Sequence, residues 1–347
     1  MSEHFSKDLL AWYDQFGRHD LPWQTDMTPY RVWVSEIMLQ QTQVQTVIPY
    51  YLKFMASFPS VLDLANASQE AVLAHWSGLG YYARGRNLHR TAQIIRDEYG
   101  GQFPADFDTV VSLPGIGRST AGAILALAFK QRYAILDGNV KRVLCRYDAI
   151  DSWSGLPKTH EALWQRADSL TPLERFDDYT QAIMDLGATL CKRSRPMCER
   201  CPVAAGCVAL KENRVKFFPV SKPKAEKPTR ETLMLVCRNA QGQIALQQRP
   251  QTGIWGGLWS LPEFNDEESL RNALANTYCE ADLVEWPKFK HTFTHYHLWI
   301  TPYYWCLSDS LDGLSQSNWV WFDLSQAFAL GLPAPVRKIL ENGDYYV

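Results

Sequence analysis

Four cysteines, Cys191, Cys198, Cys201 and Cys207, stand at the spacing C-x6-C-x2-C-x5-C, with Lys192, Arg193, Arg195 and Arg200 between and beside them. Four thiolates in one short loop ligate a single metal centre more readily than they pair as two disulfides, and a chain of intracellular character keeps them reduced. Tetrathiolate sites belong to zinc or to an iron–sulfur cluster. Zinc sites of this kind use two CxxC knuckles set apart by a longer stretch. Here there is one CxxC, Cys198 to Cys201, flanked by single cysteines at unequal distances. The spacing favours one cubane 4Fe–4S cluster; four reduced cysteines in an ordinary loop are the alternative. Cys145, Cys237, Cys279 and Cys306 are scattered and read as buried free thiols.

A chain of 347 residues has room for about two or three domains. Its hydrophobic content of 46% and its 13 tryptophans fill cores and exclude a disordered protein. The N-terminal MSEHFSKDLLAWYDQF reads as an amphipathic helix without the basic and apolar regions of a secretory signal. No apolar run reaches the length of a membrane span. These features predict a cytoplasmic protein with no membrane partner. The net charge of −2 hides an asymmetry: residues 1–230 hold 28 basic against 24 acidic side chains, residues 231–347 hold 7 against 13. The first part is the better candidate for a polyanion partner, through local patches.

Residues 1–220 read as mainly helical. Thr28-Pro29 supplies a hydroxyl cap and a proline at the first helical position. The long apolar segment after it is expected to break at Pro49. Further helical runs are SQEAVLAHW, ARGRNLHRTAQIIRDEYG, RSTAGAILALAF and ALWQRADSL, joined by glycine turns. A proline-rich, charged linker spans 211–230. Residues 231–347 change to an α+β pattern. ETLMLVCR and QIALQQRP form a hairpin about Asn239-Ala240-Gln241-Gly242, FKHTFTHYHLWITPYYWCL a second, and WVWFDL a further strand, with one helix, EESLRNALAN.

Leu113-Pro114-Gly115-Ile116-Gly117 lies between two helical runs. Its glycines permit a tight turn that exposes helix-start amides to an anion such as a DNA phosphate; an ordinary turn between helices is the alternative. Together with LDGNVKRVLCR and the four cysteines, this hairpin resembles the helix-hairpin-helix DNA glycosylases of the endonuclease III superfamily. SEIMLQQTQVQTVIPYY and GLGYYARGRNLH narrow the resemblance to the MutY-type adenine DNA glycosylases, over nearly the whole chain. The resemblance implies a mainly α helix-hairpin-helix glycosylase domain over 1–220 with the iron–sulfur cluster loop at 191–207, and a C-terminal α+β Nudix-like domain over 231–347. It implies a monomer, nucleoid-associated in a bacterium, whose partner is double-stranded DNA containing A:8-oxoguanine or A:G mispairs.

Several residues acquire expected roles from it. In strand-cutting relatives a lysine nucleophile stands two positions after the second glycine; Ser119 stands here and cannot form a Schiff base. Glu36 is the expected general acid, protonating adenine N7; it shares a helix face with Val32, Trp33 and Gln40, and an apolar setting would raise its pKa. A solvated helix glutamate is the alternative. Asp137 is the second carboxylate, set to stabilise an oxocarbenium-like sugar, and it also suits a helix N-cap. Asn139 is implied to position it. Base flipping needs a wedge; the family pattern places Gln41 and Tyr81 there, with Leu79 and Tyr82 beside them. Tyr81 read alone is equally a core aromatic. Arg84, Arg86 and Arg90 are expected at phosphates. In the second half GGLWSLPEF resembles the entry to a Nudix box, but NDEESLRNALAN lacks the carboxylate-rich helix that binds Mg2+. A recognition domain without hydrolase activity is expected, reading 8-oxoguanine through Phe293, Thr294 and His295; His295 and His297 are otherwise surface residues. The rival readings are an endonuclease III-like glycosylase/lyase for oxidised pyrimidines, a non-catalytic DNA-binding iron–sulfur protein, and a Nudix hydrolase fused to a DNA-binding module.

Overall fold

A computed structural model describes residues 2–222, 226–274, 283–306 and 318–342. The chain divides into two compact units, Met1–Ala65 with Arg90–Lys224, and Asn66–His89 with Ala225–Val347. Cys279 and part of the linker, 223–225, lie outside the described residues.

The first unit is helical. It holds α1 (Ser2–Phe16), α2 (Pro29–Leu39), α3 (Val44–Ser57) and α4 (Val61–Asn66), whose last residue falls in the other unit. Helix α5 (Gln69–Trp76) belongs to the second unit, and the boundary recurs within α6 (Ala83–Tyr99). Then follow α7 (Phe107–Ser112), α8 (Arg118–Phe129), α9 (Gly138–Tyr147), α10 (Pro157–Leu170), α11 (Phe176–Asp185) and the short α12 (Val208–Lys211).

Helix α8 is the centre of this unit. Every residue from Ala121 to Leu127 is buried, as expected of a helix apolar on all sides. Its small residues let neighbouring backbone approach: a Cβ on Gly122 would lie 2.6 Å from the Ala134 carbonyl oxygen. That approach seats the extended segment leading to Asp137. Helix α2 begins as expected, with Pro29 at its start and the Thr28 hydroxyl accepting from Arg31 N–H at 3.3 Å. The expected break at Pro49 does not occur there. Pro49 lies inside α3, and the chain turns at 40–43, where Gln41 takes the left-handed conformation with φ 59°. Pro49 sits in the second turn of α3, where it forfeits one intrahelical hydrogen bond.

The described part of the second unit contains a mixed sheet of β1 (Thr229–Arg238), β2 (Ile244–Gln248), β3 (Trp259–Ser260), β4 (Glu263–Phe264), β5 (Leu283–Glu285), β6 (Phe289–Thr292), β7 (His297–Cys306) and β8 (Trp319–Phe322). The path runs β3-β2-β1-β7-β5. Strands β1 and β7 are parallel from Thr229↔His297 to Arg238↔Cys306. The two hairpins form where the turn residues place them, β1–β2 about Gly242 with φ 79°, and β6–β7 about 293–296. Helix α13 (Glu267–Leu274) packs Leu270 and Leu274 against Leu235, Cys237, Tyr303 and Trp305. Helices α14 (Leu324–Ala329) and α15 (Ala334–Asn342) complete it. Cys145 and Cys237 are buried, but Cys306 is exposed: it ends β7 with its side chain opposite the buried face that carries Trp305.

One buried ion pair fastens the chain before α2 to the end of α11. Asp185 is wholly buried; Arg18 meets its Oδ1 through Nε at 3.0 Å and Nη2 at 2.6 Å, and Gln181 donates to it at 2.8 Å. Arg18→Met would leave this carboxylate without its cation, a cost of about 3–5 kcal/mol. The midpoint of denaturant unfolding should fall accordingly. Adding Asp185→Asn should restore part of the loss, since the double variant buries no lone charge; a harmless Arg18→Met would show that the pair does not hold this unit together.

Candidate active site and cysteine loop

Two carboxyl groups of the first unit meet. Glu36 comes from α2, beside buried Val32 and Trp33. It keeps part of its surface open, yet protein encloses its carboxyl closely enough that burial, and then the nearby Asp137 charge, pushes its pKa up to about 8. Asp137 caps α9: Val140 N–H donates to its Oδ1 at 2.8 Å and the Asn139 amide to its Oδ2 at 3.2 Å. Burial raises the Asp137 pKa while these donors pull it down. One carboxyl therefore holds a proton near neutral pH beside one whose own pKa burial also raises, but whose oxygens are hydrogen-bonded in place. The two environments push acid and base roles apart.

Ser119 is the second residue of α8, and its Oγ accepts from Leu136 N–H at 3.0 Å. The hydroxyl thus clips α8 to the residue before Asp137. In the preceding hairpin, Gly115 has φ 80° and is exposed, Ile116 is buried as its anchor, and Gly117 caps α8. A Cβ on Gly117 would meet nothing within 4 Å, so the face above the first free amides of α8 is open. Gln41 ends α2 in a left-handed conformation. Such a conformation is uncommon for a residue with a Cβ and marks a candidate functional turn.

The cysteines follow a π-helical turn, Leu186–Leu190. All four line one cavity, partly open to solvent, with Val143, Arg146 and Leu190. Among the described residues no three His, Cys, Asp or Glu side chains close on a single ion position. The four thiol donors and the cavity they share fit a sulfur-ligated metal centre. Burial and the neighbouring thiols push Cys201 up to about 12, and burial raises Cys198 and Cys207. Thiolate ligation would therefore depend on the positive charge of the metal.

Sequence reasoning gave no role to Arg142, Arg146 and Gly187. Arg146 is buried on α9 and donates to Cys191 Sγ at 3.4 Å, Lys192 O at 2.7 Å and Arg193 O at 3.2 Å. Arg142, one turn earlier, donates to Cys191 O at 2.7 Å, Gly187 O at 2.7 Å and Asn139 Oδ1 at 2.8 Å. A Cβ on Gly187 would lie 2.5 Å from that of Asn139. The signal was available: two arginines four apart on α9, with buried Val143 and Leu144 between them. These bonds hold the loop backbone so that Lys192, Arg193 and Arg195 face solvent.

In the second unit, Tyr81 has φ 50° and is 50% exposed. Leu79 and Tyr82, expected beside it at DNA, are buried, and Tyr82 Oη donates to Leu332 O at 3.0 Å. Arg84 and Arg86, expected at phosphates, are turned inward. Arg84 donates to Leu79 O and Gly80 O, each at 3.1 Å, and Arg86 to Gly256 O at 2.7 Å. They shape the turn that presents Tyr81; Arg90 remains exposed. The β6–β7 turn closes with Phe293 N–H on Tyr296 O at 2.9 Å. Phe293 packs against Trp255, His291 and Tyr296, while Thr294 and His295 are exposed. The Thr294 hydroxyl lies 3.4 Å from Tyr81 Oη.

A family profile described as "HhH-GPD superfamily base excision DNA repair protein" matches residues 34–169, and one described as "NUDIX domain" matches 233–342. The chain is 37% identical to an adenine DNA glycosylase of Buchnera aphidicola, over 97% of this chain and 95% of that protein. It is 38% identical to the adenine DNA glycosylase of Homo sapiens, over 85% of this chain and 65% of that protein. The structure of a thermostable thymine-DNA glycosylase superposes with a TM-score of 0.56 at 28% identity, covering 61% of this chain and 97% of that one. Among the described residues no helix is long and apolar enough to cross a membrane.

The Glu36 carboxyl should titrate near pH 8 in a carbon-detected NMR titration, its signal assigned by loss in Glu36→Gln. In Asp137→Asn the neighbouring charge is gone, so the midpoint should fall, yet stay above the ordinary carboxyl range because burial is the larger cause. A native midpoint between 4 and 5 would contradict the enclosed carboxyl.

Proposed function

The chain belongs to the adenine DNA glycosylase family and is a hydrolase of base excision repair, and on that premise we propose that it excises adenine opposite 8-oxoguanine or guanine without cutting the strand. The observation that carries this reading is the pair of carboxyls, one protonated near neutral pH and one oriented by two donors of its own helix start. Glu36 gives its proton to N7 of a flipped adenine, and the bond from sugar C1′ to N9 breaks with its electrons on the departing base. The Asp137 carboxylate stabilises the positive charge that develops on the sugar, and Asn139 keeps that carboxylate aimed. Water adds at C1′, and its proton returns to the Glu36 carboxylate, leaving an abasic site. Ser119 supplies no amine at the lyase position, and its hydroxyl is committed to Leu136.

The hairpin amides at Gly115 and Gly117 hold a backbone phosphate. Gln41 and Tyr81, both in left-handed turns, enter the stack where the adenine leaves it. Phe293, Thr294 and His295 read the oxidised guanine, with the Thr294 hydroxyl as hydrogen-bonding partner. Cys191, Cys198, Cys201 and Cys207 would hold one 4Fe–4S cluster, which supplies rigid thiolate ligation of the basic loop. Arg142 and Arg146 hold the loop's carbonyls, and the loop's exposed Lys192, Arg193 and Arg195 meet phosphate.

Incubation with an A:8-oxoguanine duplex should yield strand breaks only after alkali, and Glu36→Gln should abolish them while still binding the duplex. Excision should decline as the pH rises through about 8, since the proton to be donated is then lost. Breaks without alkali would favour the lyase reading. Thr294→Ala should lower the preference for A:8-oxoguanine over A:G by about 1–3 kcal/mol, roughly five- to hundredfold; an unchanged ratio of excision rates would remove the β6–β7 turn from lesion reading. Metal analysis of the purified protein should find about four iron atoms per chain, and stoichiometric zinc without iron would refute the cluster.

A further inference from the structure

A basic strip on the first unit has no role in the account above. Arg118 opens α8 directly after the glycine hairpin, and its guanidinium carbon lies 4.0 Å from the centre of the Trp164 ring on α10. His160, one turn before Trp164 on the same helix, meets that ring edge-on, at 6.3 Å between centroids and 89° between planes. Trp164 is buried, so its ring is a fixed floor for both groups, while Arg118 is exposed and His160 half-buried. The charged groups that act on the imidazole are Lys141 from α9, Arg118 from α8 and Glu161 from its own helix. Two cations outweigh one carboxylate. Partial burial is the main cause, and these cations add to it, so His160 lies below the ordinary histidine range and the free protein carries it largely neutral.

We propose that Arg118 and His160, set on the shared Trp164 ring, form a proton-gated seat for a DNA backbone phosphate beside the Gly115–Gly117 hairpin. A guanidinium stacked on an indole has a restricted position and keeps its N–H edge for an anion. The free amides of α8 begin at the same point of the chain, so amide dipoles and the guanidinium draw one anion to one place. When phosphate arrives it offsets the repulsion from Arg118 and Lys141 and accepts a hydrogen bond from the imidazolium. Phosphate binding and proton uptake then favour each other by the same factor. The strip would tighten the hold on DNA in mildly acidic conditions without touching the reacting sugar.

This inference rests on the reading of the chain as a DNA-binding glycosylase, and the test separates the two. The full-length protein is titrated with a fluorescent undamaged duplex at pH 6 and pH 8 over a range of salt. Native affinity should be about fivefold higher at pH 6, as uptake of one proton provides. His160→Gln should lack that gain, and at pH 6 its dependence of log affinity on log salt should be shallower by about 0.9, one phosphate contact. His160→Arg, charged at both values, should bind at pH 8 as tightly as native protein does at pH 6. Arg118→Gln should flatten the salt slope by about 0.9 at both. Retention of the native pH dependence by His160→Gln or His160→Arg would overturn the seat. The arginine variant decides if glutamine disturbs α10, which its melting temperature would reveal. Absence of duplex binding by the native protein, or of adenine release from a mispair, would overturn the functional reading as well. Binding and excision indifferent to His160 would overturn the seat alone.

Discussion

The first unit depends on Asp137 serving two purposes. Its carboxylate satisfies the Val140 amide at the start of α9, and an N-cap of this kind contributes about 0.5–2 kcal/mol. The same hydrogen bond fixes where the negative charge sits. Because the charge is placed by the helix, whatever holds α9 holds the carboxylate too. Arg142 and Arg146, four residues apart on that helix, grip the carbonyls of the cysteine loop, and Arg142 also reaches Asn139 beside Asp137. Gly187 leaves no room between the π-helical turn and Asn139. The loop and the carboxylate are thus two ends of one rigid element, with contiguous contacts between them.

Glu36 shows the complementary use of burial. Enclosing a carboxyl costs free energy when it is charged, and here that cost keeps the proton on. Placing a second carboxylate nearby adds to the effect, since two like charges in a poorly solvated space resist ionising together. Burial raises the Asp137 pKa as well, but its own donors, Val140 N–H and the Asn139 amide, offset part of that rise, and no such donors act on Glu36. Hydrogen-bond supply, and not distance from water, separates the roles of two enclosed acids.

Much of this was legible in the chain. Turn chemistry located the hairpin about Gly242, alternation placed a second hairpin within 289–307, and the Thr28-Pro29 start of α2 followed from capping. The cysteine spacing and the LPGIG hairpin pointed to one superfamily, with which a family profile agrees over 34–169, and a NUDIX profile matches the domain expected over 231–347. The misses have physical causes. Pro49 reads as a breaker, but near the start of a helix a proline forfeits little, and the break went to Gln41, whose side chain carries no turn signal. Leu79 and Tyr82, placed at DNA by the family resemblance, and Arg84 and Arg86 flank an exposed aromatic in the sequence, while the fold buries or turns them inward. A tight glycine turn alternates its side chains between surface and core, so Tyr81 stands out because its neighbours do not.

The arginines carry the same lesson for charge. A surplus of four basic residues over 1–230 suggests a modest attraction for a polyanion. Yet Arg84, Arg86, Arg142 and Arg146 each donate to backbone carbonyls inside the fold, and Arg18 is consumed by Asp185. A guanidinium suits this internal use, since its fork satisfies several carbonyls at once and it stays charged while part-buried. The cations left facing solvent are fewer than the count implies, and they include Lys192, Arg193 and Arg195 on the loop that the buried arginines hold, and Arg118 beside the hairpin. The field a nucleic acid meets is therefore set by which arginines the fold has not already used. Net charge, which sums both kinds, could not have located it.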